Sequence, residues 1–221
     1  MFIKKFQTTK CINGCKIFND DSNYLYWENR KVTNDEIDIV NFLNSVNKNT
    51  SLDILHIGIG NSFLASRLSN YKEINGITIS QNEIKLASSK GIKNYHFFFL
   101  NKYKANSLNI FKNKKFDIIV DINIKSFSCC DKAFHNLFIQ YSNLLKNNGY
   151  IISHKNGLKW SRVVKPTLAF SFKNFFYKRL KEFDGPINNI LNISDCEILA
   201  RENNLKLDLY NQNIVIFIND K

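Results

Sequence analysis

The chain has 221 residues, with 31 Lys plus Arg against 19 Asp plus Glu, for a formal net charge of +12. This length suits one domain. The 44% hydrophobic content excludes a disordered or collagen-like chain, and 8 Gly with 2 Pro exclude low-complexity linkers.

The positive charge fits nucleic acid, an anionic membrane or an acidic substrate as partner. It also fits plain composition, because Lys, Asn, Ile and Phe are all heavily used and share A/T-rich codons. The 5 cysteines are an odd number in a chain large enough to need no staples, which fits a reducing compartment. Cys11 and Cys15 flank an Asn-Gly turn, but no second ligand pair follows at zinc spacing. The first ten residues hold no apolar signal-peptide core. No apolar run approaches the ~20 residues that span a bilayer. The expected location is the cytoplasm.

In chain order, the first thirty residues read as irregular, with short strands over 16–18 and 24–27 around a turn at 19–23. Thr33-x-x-Glu36 is a capping box, and Ile37, Val40 and Leu43 continue at helical spacing. Strands and helices then alternate. Residues 52–58 form a strand, 62–68 a helix, 75–79 a strand and 81–89 a helix stopped by Gly91. Strands follow over 95–100 and 117–120, then a helix over 131–146 ending at Gly149 and a strand over 150–153. Cys129 and Cys130 read as small apolar residues at that helix's start. Short continuous apolar strands alternating with helices predict an α/β, mostly parallel sheet with helices on both faces. Ser194-x-x-Glu197 opens a last helix. Strands 205–210 and 214–218, joined by three residues, must pair antiparallel.

The segment His56-Ile57-Gly58-Ile59-Gly60-Asn61-Ser62-Phe63 leaves a strand and opens a helix. Glycine there permits a tight turn and close approach of a ligand to the backbone. A dinucleotide fingerprint needs a third Gly where Phe63 stands, so NAD and FAD are disfavoured. No Gly-Lys-Ser/Thr is present, which excludes a P-loop.

At this point the sequence resembles the class I S-adenosylmethionine-dependent methyltransferases, from about residue 50 to the end. Four ordered segments carry the resemblance: 52–60 (LDILHIGIG), 76–83 (GITISQNE), 116–121 (FDIIVD) and 144–152 (LLKNNGYII). The second is similar to the cyclopropane-fatty-acid-synthase-like branch. The resemblance implies a Rossmann-like, seven-stranded sheet and S-adenosyl-L-methionine as cofactor. It places His56, Ile57, Gly58, Gly60 and Asn61 at the methionine half of that cofactor. Thr78, Ile79, Ser80 and Glu83 fall near the ribose, Asn101 at the adenine amine, and Asp121 beyond the fourth strand. His56 and Thr78 stand where the family usually has acids. Glu83 also reads as the helix-capping partner of Ser80, the lesser of the two readings.

Methyl transfer needs alignment more than side-chain chemistry, and an oxygen nucleophile gains from a base. Past the strand ends, Asp121 and His154 are the candidate catalytic residues, with Asn123 and Lys155 beside them. His135 falls mid-helix and reads as structural. No proline or aromatic follows Asp121 to stack a flipped base, which weakens a DNA substrate, and no acid cluster suggests a metal.

Residues 158–193 form an inserted segment that is longer than an ordinary connection. Its basic and aromatic residues over 159–181 suit an anionic acceptor, a membrane surface, or simple packing on the domain. With an N-terminal segment over 1–32 it is the expected lid on a domain spanning 33–221. The expected activity is methyl transfer to a small-molecule or carbohydrate-like acceptor, at oxygen. The alternatives are an RNA methyltransferase and a non-catalytic binding protein of the same fold.

Overall fold

The computed structural model describes residues 23–46, 51–104, 106–126, 128, 130–159 and 191–221. The expected strand over 16–18, Cys11, Cys15 and Cys129, and most of the 158–193 segment lie outside these residues.

Seven strands form one sheet. They are β1 (Leu52–Ile57), β2 (Tyr71–Thr78), β3 (Tyr95–Phe99), β4 (Phe116–Val120), β5 (Leu145–His154), β6 (Lys206–Tyr210) and β7 (Ile214–Ile218). Their order is β3-β2-β1-β4-β5-β7-β6. The first five pair in parallel, and β7 pairs antiparallel with both β5 and β6. The strand order reverses between β1 and β4, so the chain leaves these two strands in opposite lateral directions and opens a crevice at their carboxyl ends.

Each sheet face carries its own core, because successive strand residues point to opposite sides. Leu55 and Ile57 of β1 join Ile77, Phe111, Phe134, Phe138, Tyr141 and Phe217 on one face. Ile54 joins Ile39, Leu43, Ile74, Val120 and Ile152 on the other. The helices supplying these faces are α2 (Asn34–Val46), α3 (Phe63–Arg67), α4 (Gln81–Ser89), α5 (Asp131–Leu144) and α7 (Ile193–Glu202). Two short pieces escape the sequence pattern: a 3₁₀ turn at Ser107–Phe111 and α6 at Lys155–Leu158.

Residues 24–27 are not a strand. They lie in a helix, α1 (Tyr24–Asn29), because the Asn23 side chain accepts the amides of Leu25 at 2.7 Å and Tyr26 at 3.3 Å. Asn23 caps a helix instead of closing a hairpin. β2 starts at Tyr71, ahead of the expected 75, because Lys72 and Glu73 sit at its exposed beginning and mask the apolar run. The expected helix to Lys146 ends at Leu144, where the chain turns directly into β5. Gly149 permits the close return. A Cβ there would stand 3.1 Å from the carbonyl oxygens of Phe116 and Asp117. The buried Cys130 side chain caps α5. No helix among the described residues is long and apolar enough to cross a membrane.

Candidate functional site

The crevice at the strand ends is a cavity of about 400 Å³, within the ~300–1,000 Å³ usual for small-molecule sites. Ile57 and Gly58 line it from β1, Ile77, Thr78 and Ile79 from β2, and Leu100 to Tyr103 from the end of β3. Asp121, Ile122 and Asn123 follow β4, and Glu83 enters from α4. The remaining wall comes from before the sheet: Tyr26, Trp27, Arg30, Thr33, Asp35 and Glu36.

The glycine turn is wound through left-handed backbone at Gly58 (φ 72°), Gly60 (φ 53°) and Ser62 (φ 61°). A Cβ on Gly58 would meet nothing within 4 Å, so its backbone is open to a ligand. Gly60 is different, because Trp27 and Glu36 lie 3.8 and 3.9 Å from where its Cβ would be. Beneath the turn, Glu83 Oε2 accepts the Gly60 amide at 2.8 Å and the Thr78 hydroxyl at 2.7 Å. Thr78 Oγ1 in turn accepts the Ser80 amide at 3.0 Å. Ser80 accepts the Glu83 amide at 3.4 Å, so it caps α4 alone while the Glu83 carboxylate reaches the glycine turn. Placement in the first turn of a helix suits that buried carboxylate, because the helix dipole presents positive charge there.

The approach to α2 is stitched to the same turn. Arg30 Nη1 donates to both Glu36 oxygens at 3.0 Å, and Thr33 donates its amide at 2.8 Å and its hydroxyl at 3.0 Å to Glu36. Asn61 Nδ2 donates to the Arg30 carbonyl at 3.1 Å. The rings of Tyr26 and Trp27 meet edge to face, centroids 5.0 Å apart.

On the β3–β4 side, Lys102 Nζ donates to Asp121 Oδ2 at 2.7 Å and to the Ile124 carbonyl at 3.0 Å. Tyr141 donates to the same Asp121 oxygen at 2.8 Å. Tyr103 donates to the Ile124 and Ser126 carbonyls. Lys102 and Tyr103, consecutive in sequence, thus grip the loop after β4 from one side. Burial pushes the Lys102 ammonium pKa down against the pull of Asp121. Burial and Asp121 together hold the Tyr141 phenol well above its ordinary range.

Of the residues expected from sequence, Ile57, Gly58, Thr78, Ile79, Glu83, Asn101 and Asp121 line the cavity; His56, Gly60, Asn61, Ser80 and His154 do not. His56 alternates with Leu55 and Ile57 and so faces the opposite core, 3% exposed. Its pKa falls to about 4 through burial. His154 is engaged at both nitrogens: Nδ1 accepts the Asn156 amide at 3.1 Å, so the proton sits on Nε2, 3.2 Å from Asp38 Oδ2. In that state its one ring lone pair is already taken by the Asn156 amide. Asn101 Oδ1 already accepts the Tyr103 amide at 2.9 Å. His135 is half exposed on α5, opposite Glu202.

Sequence reasoning missed Trp27, Arg30, Asp35, Lys102 and Tyr103. Lys102 carried no signal among so many lysines. Trp27 carried one, as one of 2 tryptophans placed just ahead of the first strong helix.

No protein-family model matches this sequence, and no curated protein does. Solved structures match it in fold. The N-methyltransferase NodS from Bradyrhizobium japonicum, in complex with S-adenosyl-L-homocysteine, has a TM-score of 0.55 at 12% identity, covering 90% of this chain and 98% of that one. A putative caffeoyl-CoA O-methyltransferase from Staphylococcus aureus has a TM-score of 0.56 at 17% identity, over 87% and 86%. The ribosomal protein L11 methylase from Lactobacillus delbrueckii subsp. bulgaricus has a TM-score of 0.51 at 15% identity, over 85% and 79%. With the strand order and the glycine turn, these likenesses show the fold alone: it is the fold of the class I S-adenosylmethionine-dependent methyltransferases. The methyltransferases sharing it include both nitrogen and oxygen enzymes.

Proposed function

We propose that this protein is an S-adenosylmethionine-dependent methyltransferase acting on a small-molecule acceptor. The observation that carries the proposal is Glu83 tying the glycine turn to the end of β2 while lining the cavity beside Gly58. That arrangement fits the cofactor's parts. The open backbone at Gly58 suits close approach of the methionine half, Glu83 is an acceptor for ribose hydroxyls, and Ile79 and Leu100 offer apolar cover for the adenine. Asn101 is the acceptor nearest the adenine amine. When bound, the cofactor supplies an electrophilic methyl group on a sulfonium. Asp121, held by Lys102 and Tyr141, shapes the wall where the acceptor would stand. Thr78 and Glu83 keep the second-strand motif of the cyclopropane-fatty-acid-synthase-like branch as part of this reading.

Calorimetric titration with S-adenosyl-L-homocysteine tests the cofactor. Saturable binding at micromolar ligand is expected, weakened at least tenfold by Glu83→Ala. An absence of heat at high micromolar ligand would sink the reading.

A further inference from the structure

We infer that the acceptor is a cation, an amine methylated at nitrogen; this rests on the methyltransferase reading above. The cavity wall carries two cations, Arg30 and Lys102, and each has its own carboxylate. Arg30 is bound to Glu36 at 3.0 Å and Lys102 to Asp121 at 2.7 Å. Glu83 is held by the Gly60 amide and the Thr78 hydroxyl. Asp35 remains. It lines the cavity from the first turn of α2, half-buried, and among the described residues nothing donates to it or pairs with it. The dipole of α2 favours an acid at this position, but it leaves the carboxylate without a partner of its own. Tyr26 and Trp27 line the same cavity, and aromatic faces attract cations. A wall with one carboxylate unmatched among the described residues, and with the rings of Tyr26 and Trp27, complements positive charge.

The proton inventory points the same way. A hydroxyl acceptor loses its proton as its oxygen is methylated, so it needs a base near the reacting atom. The chain has 4 histidines, all within the described residues, and none lines the cavity. His56 is buried in the opposite core, His154 is engaged at both nitrogens, and His96 and His135 face Glu73 and Glu202. An amine needs less help, because an ammonium gives up a proton far more readily than a hydroxyl does. The acceptor binds as the ammonium and loses one proton to water; the nitrogen lone pair so freed forms the new N–C bond, and the sulfonium S–C bond breaks with the electron pair staying on sulfur. The positive charge moves from sulfur to nitrogen, so the product is again an ammonium. Asp35 faces the acceptor's ammonium before the proton is lost and the product's after the transfer.

The test uses three probes of similar size: n-butylammonium, n-butanol and butyrate, titrated calorimetrically into the full-length protein saturated with S-adenosyl-L-homocysteine. The ammonium is expected to bind at least fivefold more tightly than the other two. Asp35→Asn is expected to abolish that preference while S-adenosyl-L-homocysteine affinity stays within twofold. Equal binding of the three probes, no binding of any, or a preference for butyrate, as the basic 159–181 segment would give, overturns the inference. So does a preference that survives Asp35→Asn, or an Asp35→Asn variant that weakens S-adenosylmethionine alone, since Asp35 would then serve the sulfonium. If that variant does not fold, the wild-type ranking decides. Failure of S-adenosyl-L-homocysteine to bind at all would instead remove the methyltransferase reading.

Discussion

Lys102 Nζ lies 2.7 Å from Asp121 Oδ2 and so joins the carboxyl ends of β3 and β4. Both side chains are buried, and Tyr141 completes the carboxylate's shell. An ion pair taken out of water does little for stability by itself, but removing one partner strands the other charge at a cost of about 3–5 kcal/mol. Lys102→Met and Asp121→Asn should each destabilise strongly. The combination of Lys102→Met with Asp121→Leu should cost clearly less than the sum of the single changes, because neither charge is then left alone. Urea denaturation of the four proteins measures this. Simple additivity would mean that the pair is not coupled.

Glu83 is the second junction. Thr78→Val removes a hydroxyl that donates to Glu83 and accepts the Ser80 amide, and leaves the Gly60 amide bond in place, so it should cost about 2 kcal/mol of stability. Glu83→Gln keeps an acceptor for the Gly60 amide and should lower stability less than Glu83→Ala. If Glu83 only capped α4, all three variants would bind S-adenosyl-L-homocysteine like the wild type. We expect Glu83→Ala to lose most affinity and Thr78→Val least.

His56 gives the fold a pH dependence that is unconnected with the cavity. Its folded pKa is about 4, against an ordinary value of 6.5, because burial penalises the imidazolium. The unfolded chain takes up that proton near pH 6.5 and the folded chain does not until pH 4. The stability His56 preserves is complete above pH 6.5 and is lost as pH falls through that window. The gap between the two values is worth about 3 kcal/mol. His56→Leu should flatten the dependence of stability on pH between 6.5 and 4, read from denaturant melts at pH 7 and pH 4.5. An unchanged slope would assign the acid sensitivity to other groups.

The parallel sheet was readable because its central strands are buried on both faces and leave continuous apolar runs, as at 52–57 and 116–120. The terminal hairpin was readable because three residues cannot cross over a sheet. α1 was not readable, since Tyr24–Trp27 carries no helical period and Asn23 serves turns and caps alike. At the site, Gly58 and Thr78 were legible because backbone shape and strand ends leave a local signature. His56 had a local signature too, but alternation along β1 turns its ring into the core.

The sequence by itself determined the parallel sheet, the glycine turn at its crevice and the exclusion of a third glycine at Phe63. These follow from periodicity and backbone conformation, which neighbouring residues dictate. Only the tertiary structure decided which charges meet. Arg30 is matched by Glu36 nearby, Lys102 by Asp121 from another strand, and Asp35 by no described residue. The net charge of +12 therefore says nothing about the cavity. The energy of two charges depends on how far apart they stand and on what lies between them, and chain composition fixes neither.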